Sequence, residues 1–266
     1  MFLLLIFSSL PGAVDAASDP LRYQSGIRNS PGERHLSQKQ LDLVLESLRE
    51  KTGLPGLEFD EDGFLQLNDA NLSPKGSQAA RDLLFAALNG DLAFDLENHD
   101  RSIEIAFARC GSPISYQSRA TGAQIEVVPL ELDFSDFGRL RGDKQVRDSF
   151  DLGIVILHEL AHAALRLNDA RTPDEGAGDC ENYINKIRRD LGLPERQHYF
   201  ARVIERNTGS TSGATMKLAE LMFQRQKNVE GRDKKEFFIL SWEATQVGQI
   251  KWQGAITRSK GTMAMQ

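Results

Sequence analysis

Two spacings of apolar residues divide the chain into helices and strands. Leu41, Val44, Leu45 and Leu48 recur at the helical period. Ser37 with Gln40 has the form of a capping box, and Gly53 with Pro55 closes the run, so a helix is predicted from Ser37. Leu57–Phe59 and Phe64–Leu67 flank Asp60-Glu61-Asp62-Gly63, the pattern of a β-hairpin turning on Asp-Gly. Ala79, Leu83, Leu84, Ala87 and Leu88 predict a second helix over Ser77–Asn89, ended by Gly90. Ser102–Ala108 alternates Ile103, Ile105 and Phe107 with Glu104 and Ala106, and Gln124–Phe134 alternates again around Val127-Val128-Pro129-Leu130. Both read as strands, and the proline assigns the second to a sheet edge, where an extended peptide can pair with it.

Asp151–Leu167, DLGIVILHELAHAALRL, is apolar on both sides at helical spacing: Ile154, Leu157, Ala161 and Ala164 on one, Ile156, Leu160, Ala163 and Leu167 on the other. A helix of that kind is buried. A polar loop follows over Asn168–Gly178; Asp179 is then placed to N-cap a helix running to Asp190, with Cys180, Ile184, Ile187 and Leu191 on one side. Glu195–Arg206 reads as a further short helix. Leu218–Gln226 and Glu236–Trp242 read as a C-terminal hairpin, the first arm alternatively helical. The expected fold class is α+β: a mixed sheet with an antiparallel edge strand over the buried helix, a second helix beside it, and the hairpin.

Composition adds limits. The 266 residues are 40% hydrophobic and 26% charged, with a formal net charge of −6. That is globular, and it leaves no electrostatic footprint for nucleic acid. Residues 2–10, FLLLIFSSL, are too short to span a bilayer; with Val14-Asp15-Ala16 after them they read as a signal peptide over 1–16, so the chain is expected to be exported, periplasmic or secreted, without stable membrane insertion once the signal is removed. The expected divisions are 17–100, a helix–hairpin–helix region; 101–256, the domain carrying the buried helix; and 257–266, a disordered tail. The two cysteines, Cys110 and Cys180, are either a disulfide or two buried thiols.

The chemistry lies in the buried helix, at His158-Glu159-Leu160-Ala161-His162. Residues four apart share a helix face, so both imidazoles can bind one metal ion, while Glu159 is rotated by about 100° and can reach a water on it. One Zn²⁺ is the expected cofactor. Four carboxylates downstream compete as third ligand. Asp169 would sit about 10 Å up the axis if the helix ran on. Glu175 lies in a loop, and Asp179 serves as the N-cap. Glu181, on the first turn of the next helix beside its apolar side, is the preferred ligand, with Asn185 one turn on as its supporting partner.

His158-Glu159-Leu160-Ala161-His162 on a buried helix behind strands, with Glu181 on a downstream helix, resembles the zincin metallopeptidases, in particular the gluzincin branch. Asn185-Lys-Ile-Arg188 through Arg196-Gln-His-Tyr199 is similar to a stretch that follows this motif in short bacterial effector-type metallopeptidases. The resemblance covers roughly Ile125 to Tyr199. It implies a glutamate third ligand on the next helix and hydrolysis of a peptide or protein substrate. Glu159 is then the general base. Tyr199 and His198, just beyond the Glu181 helix, are the candidates for stabilising the oxyanion, Tyr199 being similar in placement to the phenol many zincins use; it reads equally as a packed ring. Two alternatives stay open at this point: a zinc hydrolase of a non-peptide amide such as cell-wall material, and a non-catalytic protein whose zinc is structural.

Overall fold

The computed structural model describes residues 24–69, 71–117, 122–207, 215–229 and 232–248. The expected signal peptide and C-terminal tail lie outside these. The protein is α+β with a mixed sheet. In order, the elements are β1 (Gly26–Asn29), α1 (Gln38–Thr52), β2 (Leu57–Phe59), β3 (Leu65–Leu67), α2 (Gln78–Asn89), β4 (Leu92–Asn98), β5 (Ala108–Cys110), β6 (Ile114–Gln117), β7 (Gln124–Leu132), α3 (Phe134–Phe137), α4 (Lys144–Asp148), α5 (Leu152–Ala164), α6 (Gly178–Asp190), β8 (Glu195–Arg196), β9 (Arg202–Asn207), β10 (Thr215–Val229) and β11 (Arg232–Glu243).

The first sheet runs β1-β4-β7-β5. β1, β4 and β7 are mutually parallel, whereas β5 and β6 pair antiparallel with the far side of β7. Phe94, Leu96, Val128, Leu130 and Leu132 face α1, α2, α5 and α6 in one core. The expected division at residue 100 therefore falls inside a single sheet, with β1 and β4 before it and β7 and β5 after it. The second sheet, β8 to β11, is antiparallel throughout; Leu221, Phe223, Leu240 and Trp242 pack against Phe107, Val146, Phe150 and Val155 in a second core.

α5 lies between the two cores. Ile154, Ile156, Leu157, Leu160 and Ala161 belong to the first and Val155 to the second. Its N-cap is Asp151, which accepts a bond from the Ile154 N–H at 3.0 Å and pairs with buried Lys51 at 2.6 Å. Gly153 lets α1 approach: its N–H donates to Ser47 Oγ at 2.7 Å, and a Cβ there would stand 2.6 Å from that oxygen. Among the described residues, no helix is long and apolar enough to cross a membrane.

Four expectations need correction. Pro129 is not on an edge: β7 is paired on both sides, and the proline falls where its partner passes from β5 to β6, with the Gly111 N–H bonded to the Pro129 carbonyl. The antiparallel edge is formed by β5 and β6 together, and β1 is the opposite, parallel edge. From Ser102 to Phe107 there is no strand, β5 beginning only at Ala108; Ile105 and Phe107 are buried, Phe107 within the second core, and Arg101 and Phe107 take positive φ. Asp179 does not cap α6, whose N-cap is Ala177; Asp179 stands inside the first turn. Glu195–Arg206 is not helical but supplies β8 and β9, which pair with β10.

Candidate metal centre

α5 puts His158 and His162 one turn apart on one face. His162 Nδ1 lies 2.8 Å from the Leu167 carbonyl, which can only accept, so Nδ1 carries the hydrogen. His158 Nδ1 faces Glu181 Oε2 at 3.4 Å and the Cys180 thiol at 3.7 Å. Both rings therefore turn Nε2 toward a common point, and the two Nε2 atoms are 3.2 Å apart.

The carboxylate that meets them is Asp169, not Glu181. Asp169 Oδ1 is 3.2 Å from His158 Nε2, and Oδ2 is 3.2 Å from His162 Nε2. The helix ends early enough to allow it. Leu165 is the C-cap, Arg166 takes φ 55°, and the Leu167 N–H returns to the Ala161 carbonyl, folding the chain back over the helix end. The returning strand is pinned to α6 by a bridge between Asp169 and Gly178 and by the Cys180 N–H bonded to the Asn168 carbonyl at 3.0 Å. Gly178 has φ +78°, and a Cβ on it would stand 2.3 Å from the Ala170 nitrogen. Only glycine fits that approach.

Glu181 is fully buried but belongs to a different network. Arg188 Nη1 donates to its Oε1 and Arg196 Nη1 to its Oε2, the latter at 3.0 Å. Burial works to raise its pKa; Arg188, Arg196 and His158 outweigh this and hold the carboxyl down to about 2. Glu181 thus stays ionised and faces the back of the His158 ring. Asn185 supports this network through the arginines: its Oδ1 accepts from Arg188 Nη1 and the Arg196 N–H, and its Nδ2 donates to the Arg196 carbonyl. Arg196 also donates to the carbonyls of His198 and Tyr199, and its guanidinium lies 5.1 Å over the Tyr199 ring.

That clamp sets Tyr199 against the histidines, its ring stacked on His158 at 6.2 Å. Burial first, and the Asp169 charge next, push the phenol's pKa well above its ordinary value, so it keeps its proton. His198 is exposed and lines a separate polar groove with Glu175 and Asn182; it does not join the cluster. Glu159 projects on the other side, where its Oε2 accepts the Cys110 N–H of β5 at 2.7 Å. Cys110 and Cys180 are free thiols.

The residues could hold a metal ion. Two donors each about 2.0–2.1 Å from a tetrahedral zinc stand roughly 3.3 Å apart; the two Nε2 atoms are 3.2 Å apart, and each has one of the two Asp169 oxygens at 3.2 Å. Asp169 Oδ1 is buried with no hydrogen-bond partner. An orphan carboxylate oxygen facing two imidazole lone pairs needs positive charge to offset its desolvation. Without a metal, protons supply it. Burial opposes the charged form of both imidazoles, yet Asp169 and the Cys180 thiol raise the pKa of each. The same histidines hold the Asp169 carboxyl far below the usual range against its burial.

The sequence signal for Asp169 was the Asn168-Asp169 turn directly after the last apolar residue of the helix. Arg188 and Arg196 carried no comparable signal, since their partner is set by how α6 docks. A comparison with models of known protein families, with curated proteins and with solved structures gives no match.

Proposed function

We propose that this protein is a zincin-like zinc-dependent metallopeptidase, exported from the cell. The observation that supports the reading is the triangle of His158 Nε2, His162 Nε2 and the Asp169 carboxylate, each 3.2 Å from the next, with Glu159 beside it. A catalytic zinc has three protein ligands and one open position; bound there it would lower the pKa of a water toward about 7 and polarise a carbonyl. The chain's own residues do the rest. Glu159, held by the Cys110 N–H, takes the proton of the attacking water and passes it to the leaving nitrogen. Tyr199, kept protonated, donates a hydrogen bond to the oxygen on which negative charge develops. Glu181, locked by two arginines, holds His158 with Nε2 forward.

The test is one purified preparation assayed for zinc and for cleavage of casein and of a muropeptide. About one zinc per chain with casein cleavage supports a peptidase. Muropeptide cleavage alone moves the reading to the amide hydrolase. A second reading is favoured by the Cys180 thiol, which lies close enough to the same three residues to join them as a fourth ligand. A closed site of that kind would be structural. Cobalt-loaded protein decides: a thiolate charge-transfer band, lost in Cys180→Ser, means the site is closed.

A further inference from the structure

Beside Glu159, between α5 and the second sheet, lies a cavity of about 280 Å³. Its wall is built from Phe107, Phe150, Val155, Phe200, Leu221 and Trp242, with His158 and Glu159 on the same surface. Phe107 meets the rings of Phe150 and Trp242 edge-on at 5.1 and 5.2 Å, so the wall is a rigid aromatic cluster. We infer that this cavity takes a large apolar side chain, aromatic or long aliphatic, from a residue flanking the scissile bond. The inference rests on the peptidase reading given above and names its substrate class.

Three features carry it. The size is just under the roughly 300 Å³ at which pockets begin to hold drug-sized ligands, which suits one side chain. Position ties it to the reaction, because a side chain in the cavity hangs from backbone lying at Glu159. Charge disfavours the alternatives. The buried charges in the wall are Glu181, Arg188 and Arg196, and they pair with one another. Besides Glu159 itself, the remaining charged groups of the lining, Glu104 and Arg109, are exposed. A charged side chain set among the aromatic rings would have to compete with the Glu181 pairs or go unpaired, and a charge buried unpaired is costly.

The test uses the full chain loaded with zinc and a library of internally quenched peptides varied on both sides of the scissile bond. Burying a phenylalanine or leucine in place of alanine should raise kcat/KM on the order of 10- to 100-fold at one flanking position. Aspartate and lysine there should fall below alanine. Ala106→Leu and Ala201→Leu, at partly exposed wall positions, should shrink the cavity and transfer the preference to small residues. A binding readout stands apart from turnover. In Glu159→Gln with Trp252→Phe, only Trp242 is left to report, and its emission should change saturably with a phenylalanine peptide and not with its aspartate counterpart. Cleavage without preference among phenylalanine, alanine and aspartate overturns the pocket and leaves the peptidase standing. If no peptide is cleaved, the peptidase reading fails, and the Trp242 titration alone decides the pocket: saturable change keeps it, and none removes it.

Discussion

Replacing Asp169 and Glu181 one at a time separates the ligand from its support. Glu181 is fully buried between Arg188, 1% exposed, and Arg196, 10% exposed. Glu181→Ala leaves both guanidiniums facing a hole, and breaking a buried ion pair from one side costs about 3–5 kcal/mol. At roughly 2–4 °C per kcal/mol for a chain of this size, the metal-free protein should melt about 6–20 °C lower. Its zinc affinity should fall about 10- to 100-fold, the usual effect of removing a group that orients a ligand. Asp169→Ala should act more strongly on zinc: binding is lost more severely than in Glu181→Ala, because a ligand and not its support is removed. The metal-free protein should also melt lower, since the carboxylate that faces both imidazoles is gone. The assay is calorimetric melting with and without chelator, paired with competitive zinc titration. Where Glu181→Ala fails to fold, Glu181→Gln keeps the shape and tests the same ordering. A Glu181 variant that melts like the parent yet binds no zinc, beside an Asp169→Ala that binds it normally, would refute the assignment.

Five further outcomes follow from the same geometry. Glu159→Gln should keep zinc and melting temperature and lose activity by roughly 10²–10⁴-fold, read as kcat on one peptide. Tyr199→Phe should lower kcat by about 10²–10³-fold at unchanged zinc affinity; an unchanged kcat would make the ring a packing element only. Gly178→Ala should push the Asp169 strand off α6 and weaken zinc binding in titration, since its Cβ would stand 2.3 Å from the Ala170 nitrogen. The fourth concerns pH. The metal-free histidines have raised pKa values, so protons compete with zinc well above the ordinary imidazole range. Zinc affinity should therefore still rise between pH 7 and 8, with proton release visible by calorimetry in buffers of different ionisation enthalpy; a flat profile there would contradict it. Glu181, held down to about 2, contributes stability above its unfolded value of 4.5 that is lost as pH falls toward 2, so Glu181→Gln should flatten the acid limb.

What the sequence made legible was whatever is decided locally. α1, α2 and α5 follow from three- and four-residue spacing with their caps: Ser77 accepts from the Ala80 N–H, and Ser37 pairs with Gln40. The hairpin of β2 and β3 follows from its Asp-Gly turn. Segments whose form depends on a distant partner were read less well. Arg202–Asn207 is a strand because β10 lies beside it. Ile105 and Phe107 alternate like a strand but are drawn into the interior beside the second sheet. At the site, the four-residue spacing of His158 and His162 is enough to bring the two rings together on one face of α5. The choice between Asp169 and Glu181 turned on where α5 stops, and the turn at Arg166 decides it within one residue. The burial of Glu181 was foreseen; its arginine partners were not, because Arg188 and Arg196 meet it only once α6 and β8 are docked.

α5 supplies side chains to both hydrophobic cores and carries the histidines between them. Neither sheet can come away without exposing that helix, so the candidate metal centre and the scaffold share one cooperative transition. A chelator should then lower the melting of the whole chain in a single step, with no local loosening around the site. Zinc bound there, at a hundred times its dissociation constant, would add about 2.7 kcal/mol to the stability of every element at once. Deleting the C-terminal hairpin would strip Trp242, Leu240 and Leu221 from Val155, and His158, one turn further along the same helix, would lose the support of the second core.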